Sequence, residues 1–152
     1  MNKKFSIFIE ISKELNRYGI LPTIYGSLGA SRLIKVKDID DIDIIISDTW
    51  LTNRFAKFKR IMAGIGFKQD SQYPHEFNRV KSEGHVGFEK KSELKKDMGV
   101  NSKNIKITKI NGIKFGELSA KDYLKVYNKT AQLYNGRMTK IQYKIKELEK
   151  LL

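Results

Sequence analysis

The sequence lacks cysteine altogether and has only two prolines and two histidines among its 152 residues. Without cysteine, disulfide bonds and thiolate-bound metal sites are both excluded. No apolar run approaches the ~20 residues that a membrane-spanning helix needs. The first apolar stretch is interrupted by Glu10 and Glu14 and is not followed by a small-residue cleavage site, which argues against a signal peptide. We therefore expect a soluble, cytoplasmic protein with no membrane partner.

Arginine is also scarce, which limits what the strong positive charge can mean. The net charge is +13 and the isoelectric point is about 9.8, values that favour a polyanionic partner such as RNA, DNA or a nucleoside triphosphate. Most of the excess is lysine, however, whereas surfaces that read base edges lean on arginine. The charge is compatible with a nucleic-acid acceptor and equally with a lysine-rich solvated surface.

The hydrophobic pattern predicts one domain with a mixed α/β sheet. The apolar fraction of 40% and the charged fraction of 31% suit a globular protein. Apolar residues at helical spacing from Phe5 to Leu15 predict a first helix. A strand is predicted at 22–25, a short helix at 28–35, and a β-branched central strand at 42–46. A further helix, capped by Asp48 or Thr49, is predicted to carry the apolar residues Leu51, Phe55, Phe58 and Met62.

The second half of the chain predicts two hairpins and then two helices. The first hairpin covers residues 75–90 with its turn at Ser82–Gly84, and the second covers 104–118 with a type I′ turn at Asn111-Gly112. Ser119 and Asp122 resemble a capping box. Two helical stripes follow: Leu124, Tyr127, Ala131, Tyr134, and then Ile141, Ile145, Leu148, Leu152. We expect a core at about 1–116 and a C-terminal helical part at about 117–152.

An acidic cluster stands out in this basic chain. Asp38, Asp40, Asp41 and Asp43 fall within six residues, although the whole chain has only 17 acidic residues. Like charges this close repel by roughly 1 kcal/mol per pair even in a water-like dielectric. Asp41 and Asp43 project to one side of the predicted strand, because alternate strand residues share a face. Such a carboxylate pair suits Mg²⁺ or Mn²⁺, so it predicts a metal site. Asp38 and Asp40 fit less well, because no continuous apolar strand follows directly from Asp40.

Gly26 and Ser27 form a second candidate, upstream of the aspartates. They lie between a predicted strand and a predicted helix. Glycine lets a phosphate approach the backbone, and the serine hydroxyl and nearby N–H groups can bind it. Alone, this pair would be read as a turn and a helix cap. Ahead of a metal-binding carboxylate pair, it favours nucleotide binding.

The stretch "YGS" followed by "DIDIII" resembles the nucleotidyltransferase superfamily of DNA polymerase β, especially its minimal and CCA-adding-enzyme-like members. The resemblance implies a nucleotidyltransferase-like mixed β-sheet flanked by helices, with C-terminal helices. It implies that Asp41 and Asp43 hold Mg²⁺ or Mn²⁺, and that Gly26 and Ser27 bind the phosphates of a nucleoside triphosphate. The family uses a third carboxylate from a later strand, and Glu89 in "HVGFEK" is the candidate. A surface role for Glu89 is an equal alternative.

The activity implied by this resemblance is transfer of a nucleoside monophosphate from a nucleoside triphosphate to an acceptor hydroxyl, with release of pyrophosphate. An RNA 3′ end of tRNA-like type, a small molecule of aminoglycoside type and a protein side chain are all compatible acceptors. The alternatives are a catalytically inactive protein of this fold that binds nucleotide or RNA, and a toxin or regulatory partner. The sequence does not select the nucleotide, the acceptor or the oligomeric state.

Overall fold

The computed structural model of the chain describes residues 2–80, 84–133 and 138–152. The α-helices of this part are α1 (Lys3–Arg17), α2 (Gly26–Ala30), α3 (Phe55–Ala63), α4 (Lys91–Met98), α5 (Ala120–Leu133) and α6 (Met138–Glu149). The strands are β1 (Thr23–Tyr25), β2 (Ile42–Ile46), β3 (Lys68–Gln69), β4 (Glu76–Asn78), β5 (His85–Lys90), β6 (Lys106–Ile110) and β7 (Ile113–Glu117).

All of these strands join one mixed sheet in the order β3-β4-β5-β2-β1-β7-β6. β2 lies in the centre, antiparallel to β1 and parallel to β5. β4 pairs antiparallel with β5 on the far side. The predicted mixed α/β sheet with flanking and C-terminal helices is therefore confirmed.

β2 lies between two hydrophobic cores, and its side chains alternate between them. Ile42, Ile44 and Ile46 pack into the core beneath α1 and α3. Ile45 packs on the opposite face with residues of α4, α5 and α6. Asp43 alternates onto that second face. The central strand is thus apolar on one side and presents a carboxylate on the other.

The first helix forms as its spacing predicts. The Asn2 side chain accepts hydrogen bonds from the N–H groups of Lys4 and Phe5 at the helix start, which satisfies donors that have no partner within the helix. Phe8, Ile11 and Leu15 have no exposed surface and pack against the sheet.

Both predicted hairpins are present. Asn111 and Gly112 have φ values of +49° and +82°, the left-handed pair that a type I′ turn requires. β4 and β5 form the other hairpin, although Ser82 of its predicted turn lies outside the described residues.

Two helix boundaries differ from the sequence prediction. The helix predicted at 28–35 begins earlier, at Gly26, and ends at Ala30. Neither Asp48 nor Thr49 caps α3, which begins at Phe55. Instead Asp48 starts a 3₁₀ turn, Asp48–Leu51, and its carboxylate accepts a hydrogen bond from the Ser92 N–H at 3.0 Å.

The helix α4 is absent from the prediction, because it buries only Leu94 and so shows no apolar stripe. At the end of the chain, α6 stops before Leu152, which is exposed; Tyr134 of the other predicted stripe lies outside the described residues. None of the helices in the described part of the chain combines the length and the apolar character of a membrane span.

Candidate active site

A row of four paired residues crosses the middle of the sheet. Asp43 of β2 is paired with Tyr25 of β1 on one side and with Gly87 of β5 on the other. Gly87 is paired in turn with Glu76 of β4. Directly paired residues project to the same face of a sheet. The carboxylates of Asp43 and Glu76 therefore flank a strand position that has no side chain.

The carboxylate of Asp43 lies directly against Gly26. Gly26 has a φ of +62°, a conformation that favours glycine. A Cβ atom at this position would overlap Asp43 Oδ2. Ser27, the next residue, is buried at the start of α2. The structure thus brings the Gly26–Ser27 turn and the Asp43 carboxylate together, as the sequence pattern requires for a shared site.

Asp41, immediately before β2, meets a second group of ligand-type side chains. One carboxylate oxygen of Asp41, one of Glu76 and one ring nitrogen of His85 all lie within 4.8 Å of one another. His85 Nε2 is 2.8 Å from Glu76 Oε1, and His85 Nδ1 is 2.6 Å from Asn78 Oδ1. Two carboxylates and an imidazole therefore converge next to Asp43.

Glu89 lies on the opposite side of Asp43 from this group. It is paired with Ile45, two positions further along β5 than Gly87. Together with Asp43, Glu89 lines a cavity of about 290 Å³ between the sheet and the helices α4 and α5. The carboxylates of Glu93 and Asp97, on α4, line the same cavity. The side chain of Glu89 keeps contact with solvent, so the cavity opens to the outside.

The cavity wall includes a tyrosine whose hydroxyl group is buried. The residue Tyr127 is only 7% exposed and lines the cavity from α5. Its hydroxyl has no hydrogen-bond partner within the described part of the chain. A buried hydroxyl without a partner costs free energy.

Asp43 is a strongly perturbed carboxylate at the centre of the site. Burial, together with the charges of Glu89, Asp41 and Glu76, raises the pKa of Asp43 from 3.8 to about 7. Partial desolvation raises the pKa of Glu89 as well, assisted by Glu93 and Asp97. A divalent cation bound among these carboxylates would offset their mutual repulsion.

The pKa of His85 is shifted by opposing effects. Burial lowers it, but the hydrogen bond that the protonated ring donates to Glu76 and the charge of Asp41 outweigh this and raise the pKa overall. His85 in turn lowers the pKa of Asp43 slightly, because its positive form favours the carboxylate. The ring therefore belongs to the same electrostatic unit as the aspartates.

The sequence identified part of this arrangement. Gly26, Ser27, Asp41 and Asp43 lie together, and Glu89 shares their face of the sheet. Sequence reasoning missed Glu76, Glu93 and Asp97 as neighbours of Asp43. Glu76 carries a detectable signal, because in an alternating hairpin it shares a face with the strand residues opposite it. α4 gave no such signal.

One relative is similar along the whole chain. The sequence is 34% identical over 160 aligned residues to the uncharacterized protein YnaI of Bacillus subtilis (strain 168), and the alignment covers 99% of this chain and 98% of YnaI. No protein-family model matches the chain.

Solved structures of similar fold are nucleotidyltransferases or nucleotidyltransferase-like proteins. An antigenic nucleotidyltransferase-like protein from Paracoccidioides brasiliensis superposes with a TM-score of 0.72 at 15% identity, covering 98% of this chain and 76% of its own. ANT(2")-Ia in complex with adenylyl-2"-tobramycin has a TM-score of 0.68 at 13% identity, covering 97% and 88%. The lincosamide antibiotic adenylyltransferase LnuA, bound to lincomycin, has a TM-score of 0.59 at 13% identity, covering 100% and 98%.

Proposed function

Because the chain belongs to the same family as Bacillus subtilis YnaI and has the fold of the nucleotidyltransferase superfamily, we propose that it is a nucleotidyltransferase. It transfers a nucleoside monophosphate from a nucleoside triphosphate to an acceptor hydroxyl and releases pyrophosphate. The observation that carries the proposal is the Asp43 carboxylate, held against Gly26 among three other carboxylates. The fold predicted from the resemblance is confirmed, and the reaction is inferred from the site.

The residues present fit a divalent cation such as Mg²⁺ or Mn²⁺. Asp41, Asp43 and Glu89 are the carboxylates proposed to hold it. Burial and the charges of Glu89 and Asp41 make the ionised form of Asp43 costly without a cation. When bound, a divalent cation polarises the α-phosphate and offsets the negative charge that develops during phosphoryl transfer.

The protein's own groups position the reactants. The N–H groups and the Ser27 hydroxyl at the Gly26–Ser27 turn hold the β- and γ-phosphates, where the absence of a Cβ leaves room for the carboxylate of Asp43. The acceptor oxygen forms a bond to the α-phosphorus as the bond to the bridging oxygen of pyrophosphate breaks, in line. Glu89 accepts the proton of the acceptor hydroxyl, so that the products are the nucleotidylated acceptor, pyrophosphate and a proton.

We propose a positively charged small molecule as the acceptor. The cavity beside Asp43 is lined by the carboxylate residues Glu89, Glu93 and Asp97. This acidic surface is notable in a chain of net charge +13, and it would repel the phosphates of an RNA acceptor. The similar structure of ANT(2")-Ia holds adenylyl-2"-tobramycin, and LnuA holds lincomycin, which supports a small-molecule acceptor.

An amide NMR titration with ATP tests the nucleotide site. We expect the signals of Gly26, Ser27, Asp41 and Asp43 to shift when ATP and Mg²⁺ are added together, and to shift little with ATP alone. The reason is that repulsion from Asp43 keeps the triphosphate away from Gly26 until a cation offsets it. If ATP and the other triphosphates, each with Mg²⁺, leave these signals unchanged, the site does not bind nucleotide and the proposal fails.

A double substitution tests the acceptor. We expect Glu93→Gln with Asp97→Asn to raise the KM for tobramycin about 2- to 30-fold, because each exposed charge contributes about 0.2–1 kcal/mol to binding. The KM for ATP should change less, because α4 contributes no group to the proposed phosphate contacts at Gly26 and Ser27, although Glu93 and Asp97 line the same cavity as Gly26. The matched control is Glu147→Gln with Glu149→Gln on α6, which should change neither constant. An unchanged KM for tobramycin in the α4 variant would exclude this cavity as the acceptor site.

A further inference from the structure

Asp41, Glu76 and His85 come from three separate segments of the chain and meet on one side of Asp43. Their nearest ligand-type atoms lie within 4.8 Å of one another. Ligands that are about 2.1 Å from one cation lie about 3 Å apart, and His85 Nε2 and Glu76 Oε1 are already separated by 2.8 Å. Small side-chain rotations would bring all three donors onto one ion.

Gly87 makes this convergence possible. It lies on β5 between β2 and β4, paired with both Asp43 and Glu76. A Cβ placed on Gly87 would be 3.4 Å from Asp43 Oδ1 and 3.9 Å from Glu76 Cγ. A larger side chain at position 87 would occupy the space between the Glu76 side chain and β2. The glycine therefore lets a carboxylate from the neighbouring strand β4 approach Asp41.

Asn78 orients the histidine for coordination. Its Oδ1 atom is 2.6 Å from His85 Nδ1, and a carbonyl oxygen can only accept a hydrogen bond. Nδ1 therefore carries a proton, and Nε2, which lies 2.8 Å from Glu76 Oε1, exchanges its own proton for a cation when one binds. Metal-bound histidines commonly donate the N–H of their other ring nitrogen to an oxygen acceptor of this kind.

We propose that Asp41, Glu76 and His85 form a second divalent-cation site, which shares Asp41 with the Asp41–Asp43–Glu89 set and prefers Zn²⁺ or Co²⁺ to Mg²⁺. The preference follows from the imidazole nitrogen, which suits first-row transition ions, whereas Mg²⁺ favours oxygen ligands alone. The inference extends the proposed function, because Asp41 serves both sites, but its test requires no nucleotide and no transfer activity.

The test is a titration of the ¹⁵N-labelled protein with Zn²⁺, read at the ring nitrogens of its two histidines. We expect Zn²⁺ to shift Nε2 of His85 and to leave His75 unchanged, and we expect Mg²⁺ to shift neither ring. His75 is the matched control, because its ring packs edge-on against Phe55, with 5.5 Å between ring centroids, and belongs to no cluster of this kind among the described residues. Equal shifts at both histidines would overturn the proposal.

Variants supply a second measurement. His85→Gln and Glu76→Gln should each weaken Zn²⁺ or Co²⁺ binding by at least ~10-fold, because each removes a proposed ligand. Asn78→Ser should weaken binding by about 10-fold, because it removes the side chain that orients the His85 ring. His75→Gln should bind like the unsubstituted protein. If His85→Gln retains full affinity for Zn²⁺ and Co²⁺, His85 is not a ligand of the cation. Asn78→Ser removes no ligand, so it tests the site even if His85→Gln folds poorly.

The two proposals fail in distinguishable ways. If the ATP–Mg²⁺ shifts at Gly26 and Ser27 occur but Zn²⁺ does not move His85, only the second cation site is wrong. If Zn²⁺ moves His85 but ATP–Mg²⁺ has no effect, the cation site is correct and the nucleotide site is wrong.

Discussion

Asp43→Asn will increase the free energy of unfolding by about 2–4 kcal/mol at about pH 8 in metal-free buffer, although it removes a residue proposed to be essential for transfer. Burial and three neighbouring carboxylates raise the pKa of Asp43 to about 7, so that its ionised form opposes folding, at about 1.4 kcal/mol per pKa unit. The asparagine side chain has nearly the same shape and carries no charge. Denaturant unfolding monitored by circular dichroism measures the difference.

The pH dependence has a definite sign. The unfolded chain ionises Asp43 near pH 4, while the folded chain keeps its proton up to about pH 7. Between these values the folded state binds more protons, so this group lowers the stability as the pH rises. The advantage of Asp43→Asn should therefore be largest above pH 7 and should vanish near pH 4. Asp38→Asn is the matched control, because Asp38 is exposed; its effect should stay within about ±0.5 kcal/mol.

Function should change in the opposite direction. We expect transfer by Asp43→Asn to fall by on the order of 10³-fold, because loss of a metal-binding carboxylate removes several kcal/mol of transition-state stabilisation. Mg²⁺ should stabilise the unsubstituted protein against unfolding and should not stabilise the variant. If Asp43→Asn is less stable than the unsubstituted protein at pH 8, the ionised Asp43 carboxylate does not destabilise the folded state. A bound cation would then have no repulsion to relieve at Asp43.

The parts of the site that the sequence predicted are those encoded within a few consecutive residues. Gly26, Ser27 and the Asp41–Asp43 pair flank short apolar strands, and a strand's alternation fixes which side chains share a face. The choice of Asp41 and Asp43 over Asp38 and Asp40 agrees with the structure in one respect, because β2 begins at Ile42. The roles of these four residues in nucleotide and metal binding stay predictions.

The missed residues depend on contacts between distant strands and on a helix without an apolar stripe. Glu76 reaches the site only because β4 pairs with β5 and β5 pairs parallel with β2, and a single sequence does not reveal that order. Glu93 and Asp97 were missed because α4 buries only Leu94, so its lysine-rich sequence reads as a solvated segment. The prediction that Asp48 caps α3 was wrong for a similar reason. The Asp48 carboxylate accepts a hydrogen bond from the N–H of Ser92, a residue distant in sequence, and not from α3.

Gly26→Ala should abolish most of the transfer activity by displacing the Asp43 carboxylate. The new Cβ would overlap Asp43 Oδ2, and the carboxylate must move away to accommodate it. A displacement of about 1 Å at a catalytic group costs on the order of 10²-fold in rate. The backbone contributes separately, because φ is +62° at this position and alanine there costs about 1–2 kcal/mol of stability. Initial rates of pyrophosphate release measure the first effect, and denaturant unfolding measures the second.

Gly19→Ala separates the two effects. Gly19 has a φ of +72°, close to that of Gly26, but a Cβ there would have no atom within 4 Å. We therefore expect Gly19→Ala to lose about the same 1–2 kcal/mol of stability through backbone strain and to keep its transfer rate. If both variants lose transfer equally, backbone strain rather than the position of Asp43 is responsible. If Gly26→Ala transfers normally, the close approach of Asp43 to the Gly26–Ser27 turn is not what assembles the site, because the carboxylate then acts equally well from a different position.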